Sequence, residues 1–123
     1  MADSKPVELK RECDRYRPYY YAAASGDFNP IHLDKELAQM AGLPGNILHG
    51  MCTMAWAAEA AIDALGGDPG DLRKLEVRFS RPVKIEDTVT FTATTAEGKI
   101  QITAVNQDGQ DVLKNAQAQG QAR

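Results

Sequence analysis

Asp27, Asn29 and His32 place a carboxylate, an amide and an imidazole within one short stretch, ASGDFNPIHLD, Ala24 to Asp34. A carboxylate and an imidazole that share a water molecule form an acid–base pair, in which one group accepts a proton and the other donates or orients. An unbroken helix works against this, because side chains five residues apart are rotated by about 140°. Asn29-Pro30 supplies the break: proline fixes its own φ and pushes the preceding residue out of the helical region. Once the chain bends, Asp27 and His32 can turn toward one point. The same residue types also serve a turn, since Asp and Asn before a break bond their own backbone and a histidine beside a loop is commonly structural. Spacing alone leaves both readings open.

A second feature is ILHGM, Ile47 to Met51, ahead of a long apolar segment. The N–H groups at a helix start lack internal partners and carry partial positive charge. Gly50 there would let a ligand oxygen approach the backbone, so that the helix tip could polarise a carbonyl and hold a developing oxyanion. Ordinary helix entry explains His49-Gly50 equally well. Glu59 and Asp63, four apart on the same helix, are a further carboxylate pair whose spacing suits a solvated edge. His32, Asp34 and His49 show no HxH or HxxxH spacing, so no metal is expected.

These groups need elements to hold them. PVELKREC reads as a short strand and YRPYYYAAASG as a helix, with Pro18 in its first turn and Gly26 as its stop. LDKELAQMAG suggests a short helix capped by Asp34 and ending near Gly42. From Gly50 to Leu65 runs a helix of about 16 residues, roughly 24 Å long. Met51, Met54, Ala55, Ala58, Ile62 and Leu65 mark one stripe on it, and Cys52, Trp56 and Ala60 occupy the other side, the pattern of a helix buried nearly all round. After LGGDPGD the period changes to two: Leu75, Val77 and Phe79, then Val89, Phe91 and Ala93, then Ile100, Ile102 and Ala104 alternate with polar residues. Glu97-Gly98 and Asp108-Gly109 are hairpin turns. DVLKNAQAQ is a weaker last strand, with a Gln-rich tail expected to fray after Ala116. The sum is an α+β domain with one antiparallel sheet packed on a mostly apolar helix.

The 123 residues predict one domain, 1–123, and 14 basic against 17 acidic residues give a net charge of −3. That balance argues against a nucleic-acid partner. Cys13 and Cys52 are the only cysteines, as expected of reduced thiols in a cytoplasmic protein. MADSKPVELKRE has no apolar core for a signal peptide, and no stretch is long and apolar enough for a membrane span.

The run SGDFNPIHLD, followed 17 residues after His32 by HGM, resembles the MaoC-like (R)-specific enoyl-CoA hydratases and (3R)-hydroxyacyl-carrier-protein dehydratases. FSRPVKIEDTV is similar to the same family's paired-strand pattern. The resemblance implies a hot-dog fold, an antiparallel sheet wrapped around a long central helix. It also implies reversible hydration of trans-2-enoyl thioesters of coenzyme A or an acyl carrier protein. By its motif, Asp27 and His32 hold and activate the water, Gly50 offers its N–H to the thioester carbonyl, and Asn29 supports the loop. His49, Met51 and Arg81 are expected near the substrate, and no cofactor is implied. The resemblance further implies a homodimer, with a heterodimer as the other form. The alternative function is a non-catalytic acyl-thioester binding or partner subunit. Two positions depart from the pattern. Ala58 stands where some members carry a helix serine, and Glu86 stands where a glycine is usual, with an altered turn expected.

Overall fold

The computed structural model describes residues 5–121. Strand β1 (Val7–Glu12) leads through helix α1 (Arg17–Ser25) and two short helices, α2 (Pro30–Leu33) and α3 (Lys35–Met40), to the long helix α4 (Gly50–Ala64). A 3-10 turn (Pro69–Asp71) then opens the strands β2 (Leu72–Phe79), β3 (Thr88–Ala96), β4 (Lys99–Val105) and β5 (Asp111–Gly120). The five strands form one sheet in the order β1-β3-β4-β5-β2, with every pairing antiparallel.

Alternation decides which face the sheet buries. Val89, Phe91 and Ala93 of β3 and Ile100, Ile102 and Ala104 of β4 point inward, while the threonines and glutamines between them are half-buried or exposed. The inward face closes on α4, where Ala57, Ala60 and Ala61 are fully buried and Trp56 meets Phe91 edge-on at 6.2 Å. Alanine on this face brings the helix close to the sheet. Burying the large side chains Phe91, Ile100 and Trp56 stabilises the fold by roughly 1.5–3 kcal/mol each. Cys13 and Cys52 belong to the same core and are free thiols. Burial, with the nearby Cys52 adding to it, pushes the Cys13 thiol up to about 12, and burial raises Cys52 too.

Both hairpins form as expected. Glu97 and Gly98 each take a positive φ between β3 and β4, and the Asp108-Gly109 loop is tied by the Asn106 side chain to the N–H groups of Asp108 and Gln110. Three expectations change. The buried face of α4 carries Cys52, Thr53, Trp56, Ala57, Ala60 and Ala61, whereas Met51 is 60% exposed and Ala55 is exposed. The helix is apolar on both sides, so sequence period alone could not select the face. The Gln-rich end does not fray, because β5 pairs with β2 out to Gly120. Phe79 does not follow its strand's alternation inward and is 52% exposed.

The pairing at that end depends on a missing side chain. A Cβ on Gly120 would stand 2.5 Å from the Asp71 carbonyl oxygen and 2.5 Å from Leu65 Cδ1. Gly120→Ala should therefore destabilise the fold by about 1–3 kcal/mol, read as a lower midpoint in urea unfolding.

Glu86 keeps its turn intact. It takes φ 74 while its N–H donates to the Cys13 carbonyl at 2.7 Å, and Asp87 closes the loop onto the Lys84 N–H at 2.9 Å. The left-handed region costs a residue with a Cβ roughly 1–2 kcal/mol. Glu86→Gly should raise stability by about 1 kcal/mol and the melting temperature by a few degrees.

Candidate active site

Three consecutive side-chain–backbone turns shape the bend. Asp27 Oδ1 accepts from Asn29 N–H at 3.1 Å, Asn29 Oδ1 accepts from Ile31 N–H at 3.2 Å to cap α2, and Asp34 Oδ1 caps α3 through Glu36 and Leu37. Asp27 thus serves the turn with one oxygen, and its other oxygen, Oδ2, stands 3.9 Å from His32 Nε2. One oxygen of the carboxylate thus makes the turn, and the other faces the imidazole.

His32 is oriented from behind. Its Nδ1 lies 2.9 Å from the Ile47 carbonyl oxygen, which accepts only if Nδ1 carries a proton; in the neutral ring this leaves the Nε2 lone pair toward Asp27. The segment ahead of α4 is stitched to α2 by Asn46 Nδ2 donating to the His32 carbonyl and Ile47 N–H donating to the Ile31 carbonyl. His32 is 8% exposed, whereas the Asp27 side chain is 54% exposed, so the pair has one wall in the protein and one facing outward. Two acceptors at this separation can both be bridged by a single water.

His49 was expected beside substrate. Its ring is 2% exposed and stacks on His32 with centroids 3.9 Å apart and planes 20° apart. Its Nε2–H donates to the Asp27 backbone carbonyl at 2.8 Å, and Tyr21 lies against its other side at 4.8 Å. Asp27, His32 and His49 present ligand atoms within 4.8 Å of one another. His49 Nε2 is committed to the Asp27 carbonyl, while its Nδ1 is buried without a hydrogen-bond partner among the described residues.

Gly50 opens α4. Cys52 and Thr53 N–H both reach the His49 carbonyl, so the Gly50 and Met51 N–H groups have no backbone acceptor among the described residues. Gly50 and His32 line one cavity of about 340 Å³, together with Thr53, Phe79 and Arg81. The Phe79 ring lies over the glycine, 3.2 Å from where a Cβ would be. The missing side chain at residue 50 therefore lets the Phe79 ring pack over the helix tip at the edge of the cavity. Arg81 borders this cavity, while Met51 points outward beside it. Glu59 forms an ion pair with Arg11 of β1, so it tethers α4 to the sheet. Ala58 lies half-buried further along α4. The Ile47 carbonyl, the Asn46 amide and the His49 brace were not foreseen from sequence. All three act through tertiary hydrogen bonds that leave no periodic signal.

The sequence pattern of one family, the MaoC like domain, matches residues 5–117. The chain belongs to this family. It is 32% identical over 105 residues to a Dictyostelium discoideum protein named probable enoyl-CoA hydratase 2, covering 80% of this chain and 34% of that one. It is 46% identical over 56 residues to the peroxisomal enoyl-CoA hydratase 2 of Arabidopsis thaliana, covering 45% of this chain and 18% of that protein. The chain thus spans about a third or less of these curated relatives. Among solved structures, a MaoC-like dehydratase from Phytophthora capsici superposes with TM-score 0.87 at 26% identity, covering all of this chain and 44% of that one. The unliganded (R)-hydratase of Pseudomonas aeruginosa gives 0.79 at 26% identity, over 100% of this chain and 84% of that one. This MaoC-like chain has the hot-dog fold that its motif implied. No helix of the described residues is long and apolar enough to cross a membrane.

Proposed function

We propose that this MaoC-like chain adds water across the double bond of trans-2-enoyl thioesters, giving (R)-3-hydroxyacyl thioesters, and runs the reverse dehydration. The observation that carries this reading is the 3.9 Å approach of Asp27 Oδ2 to His32 Nε2, on a cavity that Gly50 shares. Water held between the carboxylate and the imidazole gives up one proton to the pair as its oxygen bonds to C3. The pair returns a proton to C2, so one water is consumed and neither residue is changed at the end. Between these events, negative charge passes to the thioester oxygen. The Gly50 N–H and the positive end of α4 are aimed to meet that charge. Asn29 supports the geometry by capping α2. Arg81, at the cavity rim, has the charge to meet a phosphate of the thioester's carrier.

Strands β1 and β2 are the sheet's two edges, and an open edge invites pairing. A second copy added along an edge would cover it, so a homodimer is part of the proposal, with a heterodimer as the alternative. One sheet and one core support a single domain over 1–123, and buried free thiols support a reducing, cytoplasmic setting.

The test is to follow loss of the enone absorbance of a short 2-enoyl-CoA with purified protein and to resolve the product's stereochemistry. Turnover to the (R)-alcohol is expected. A folded protein that binds the thioester without turning it over would reassign the chain as a binding or partner subunit.

A further inference from the structure

The carbonyl that orients His32 is the near end of a longer chain of hydrogen bonds. His32 Nδ1–H donates to the Ile47 carbonyl at 2.9 Å. On the far side of the same peptide group, the Leu48 N–H donates to the Val83 carbonyl at 2.8 Å. Across the next peptide group, the Lys84 N–H donates to Asp87 Oδ2 at 2.9 Å. A peptide unit is planar and rigid, so the carbonyl of one residue and the N–H of the next move together. Two such units therefore join the imidazole to a carboxylate. Their dipoles run the same way along the whole path, with each N–H directed toward Asp87 and each carbonyl toward His32. Hydrogen bonds in line polarise one another, so a negative charge at the far end strengthens the hold of every acceptor on its donor.

Asp87 is a firmly held end. It is 3% exposed, and its other oxygen, Oδ1, accepts from Gln107 Nε2 at 2.8 Å. Gln107 Oε1 in turn accepts from the Thr88 N–H at 3.0 Å. The Asp87 backbone is fixed as well, its N–H donating to the Lys84 carbonyl and its carbonyl accepting from the Cys13 N–H. Among the described residues no Lys or Arg forms an ion pair with Asp87. Burying a carboxylate without a cation is costly, and a neutral asparagine or serine can close a turn. The turn by itself therefore does not account for the charge.

We propose that Asp87 is a positioning residue for the water-adding reaction, acting on His32 through these two peptide groups; this rests on the hydratase reading above. It keeps the proton on Nδ1 and thereby leaves Nε2 able to take a proton from water. Without the carboxylate, the peptide groups lose their anchor and their polarisation. The Asp27 carboxylate, 3.9 Å from Nε2, then draws the ring proton to that side, and an Nε2–H cannot accept one from water. Asp87 and Asp27 thus pull on opposite nitrogens of one imidazole.

The chain has two histidines, and the structure gives them opposite tautomers, Nδ1–H on His32 and Nε2–H on His49. Long-range proton–nitrogen NMR correlations at about pH 9, above the ordinary imidazole value of about 6.5, read both without any turnover. The two histidines should differ in the native chain. In Asp87→Ala, His32 should shift to Nε2–H while His49 stays as it is. At a temperature where this variant is folded, kcat should fall about tenfold with KM nearly unchanged. Asp87→Asn is the rescue: its amide oxygen still accepts from the Lys84 N–H but carries no charge, so the native tautomer should return and kcat recover in part. If Asp87→Ala does not fold, Asp87→Ser takes its place. There a single oxygen serves the Lys84 and Gln107 donors, so His32 should show mixed tautomers and a severalfold lower kcat. Two histidines of one tautomer in the native chain would overturn the proposal. So would a folded alanine or serine variant that loses stability while keeping either the His32 tautomer or kcat, and Asp87 would then be a loop brace only. If no thioester is turned over, the hydratase reading fails, and the tautomer shift still decides whether Asp87 acts on His32.

Discussion

Asp27→Asn should lower kcat on a 2-enoyl thioester by about a hundred- to ten-thousand-fold, with the fold and melting temperature nearly unchanged. The split follows from the two duties of the carboxylate. Oδ1 closes a turn by accepting from Asn29 N–H, and an asparagine oxygen can accept the same bond. Oδ2 faces His32 Nε2 across 3.9 Å, and there the amide nitrogen is a donor that cannot take a proton from water. Asp27→Ala, by contrast, should cost both activity and some stability, because the turn loses its acceptor. Comparing the two variants by steady-state kinetics and thermal unfolding separates the chemical role from the structural one. Full activity in the asparagine variant would remove Asp27 from the reaction, and the water would need another base. The converse variant, His32→Gln, should fall in kcat to a similar degree, since the two groups act on one water and their losses should not add.

The extent to which this was readable from the chain differs between levels. The strands of the sheet announce themselves because threonine and glutamine alternate with valine, isoleucine and alanine, and an antiparallel sheet with one wet face requires that alternation. The bend at Asn29-Pro30 was readable for a similar reason, since proline and Asx chemistry act within a few residues. The orientation of α4 was not. With methionine and alanine on one side and cysteine, tryptophan and alanine on the other, both faces satisfy an apolar test, and contact with β3 selects the one carrying Trp56 and Ala60. Phe79 illustrates the same limit. Its alternation points inward, yet it sits at the end of an edge strand, where a register shift between Glu76 and Arg78 changes the local geometry and lets its ring cover Gly50. Within the candidate site, Asp27, His32 and Gly50 carried a motif, while the groups that aim them are backbone carbonyls and a buried imidazole. A carbonyl such as that of Ile47 is invisible in sequence because every residue has one.

His49→Ala tests whether that aiming matters. The imidazole touches both halves of the acid–base pair: its Nε2–H holds the Asp27 carbonyl at 2.8 Å and its face supports the His32 ring at 3.9 Å. Removal leaves the Asp27 carbonyl without its donor and opens a void beneath His32, which should destabilise the fold by about 1–3 kcal/mol. If the brace also sets the geometry of the pair, kcat should drop roughly ten- to a hundredfold at a temperature where the variant is fully folded, because small misplacements of reacting groups are costly. KM should move little, since a ring that is 2% exposed has almost no surface to offer a ligand. His49→Gln separates the two contacts. Its amide can still donate to the Asp27 carbonyl but cannot stack on His32, so it should recover part of the stability and only part of kcat. Loss of stability with kcat intact in the folded alanine variant would show that the pair keeps its alignment without the brace, leaving the Ile47 carbonyl and the Asn29 turn to set it alone.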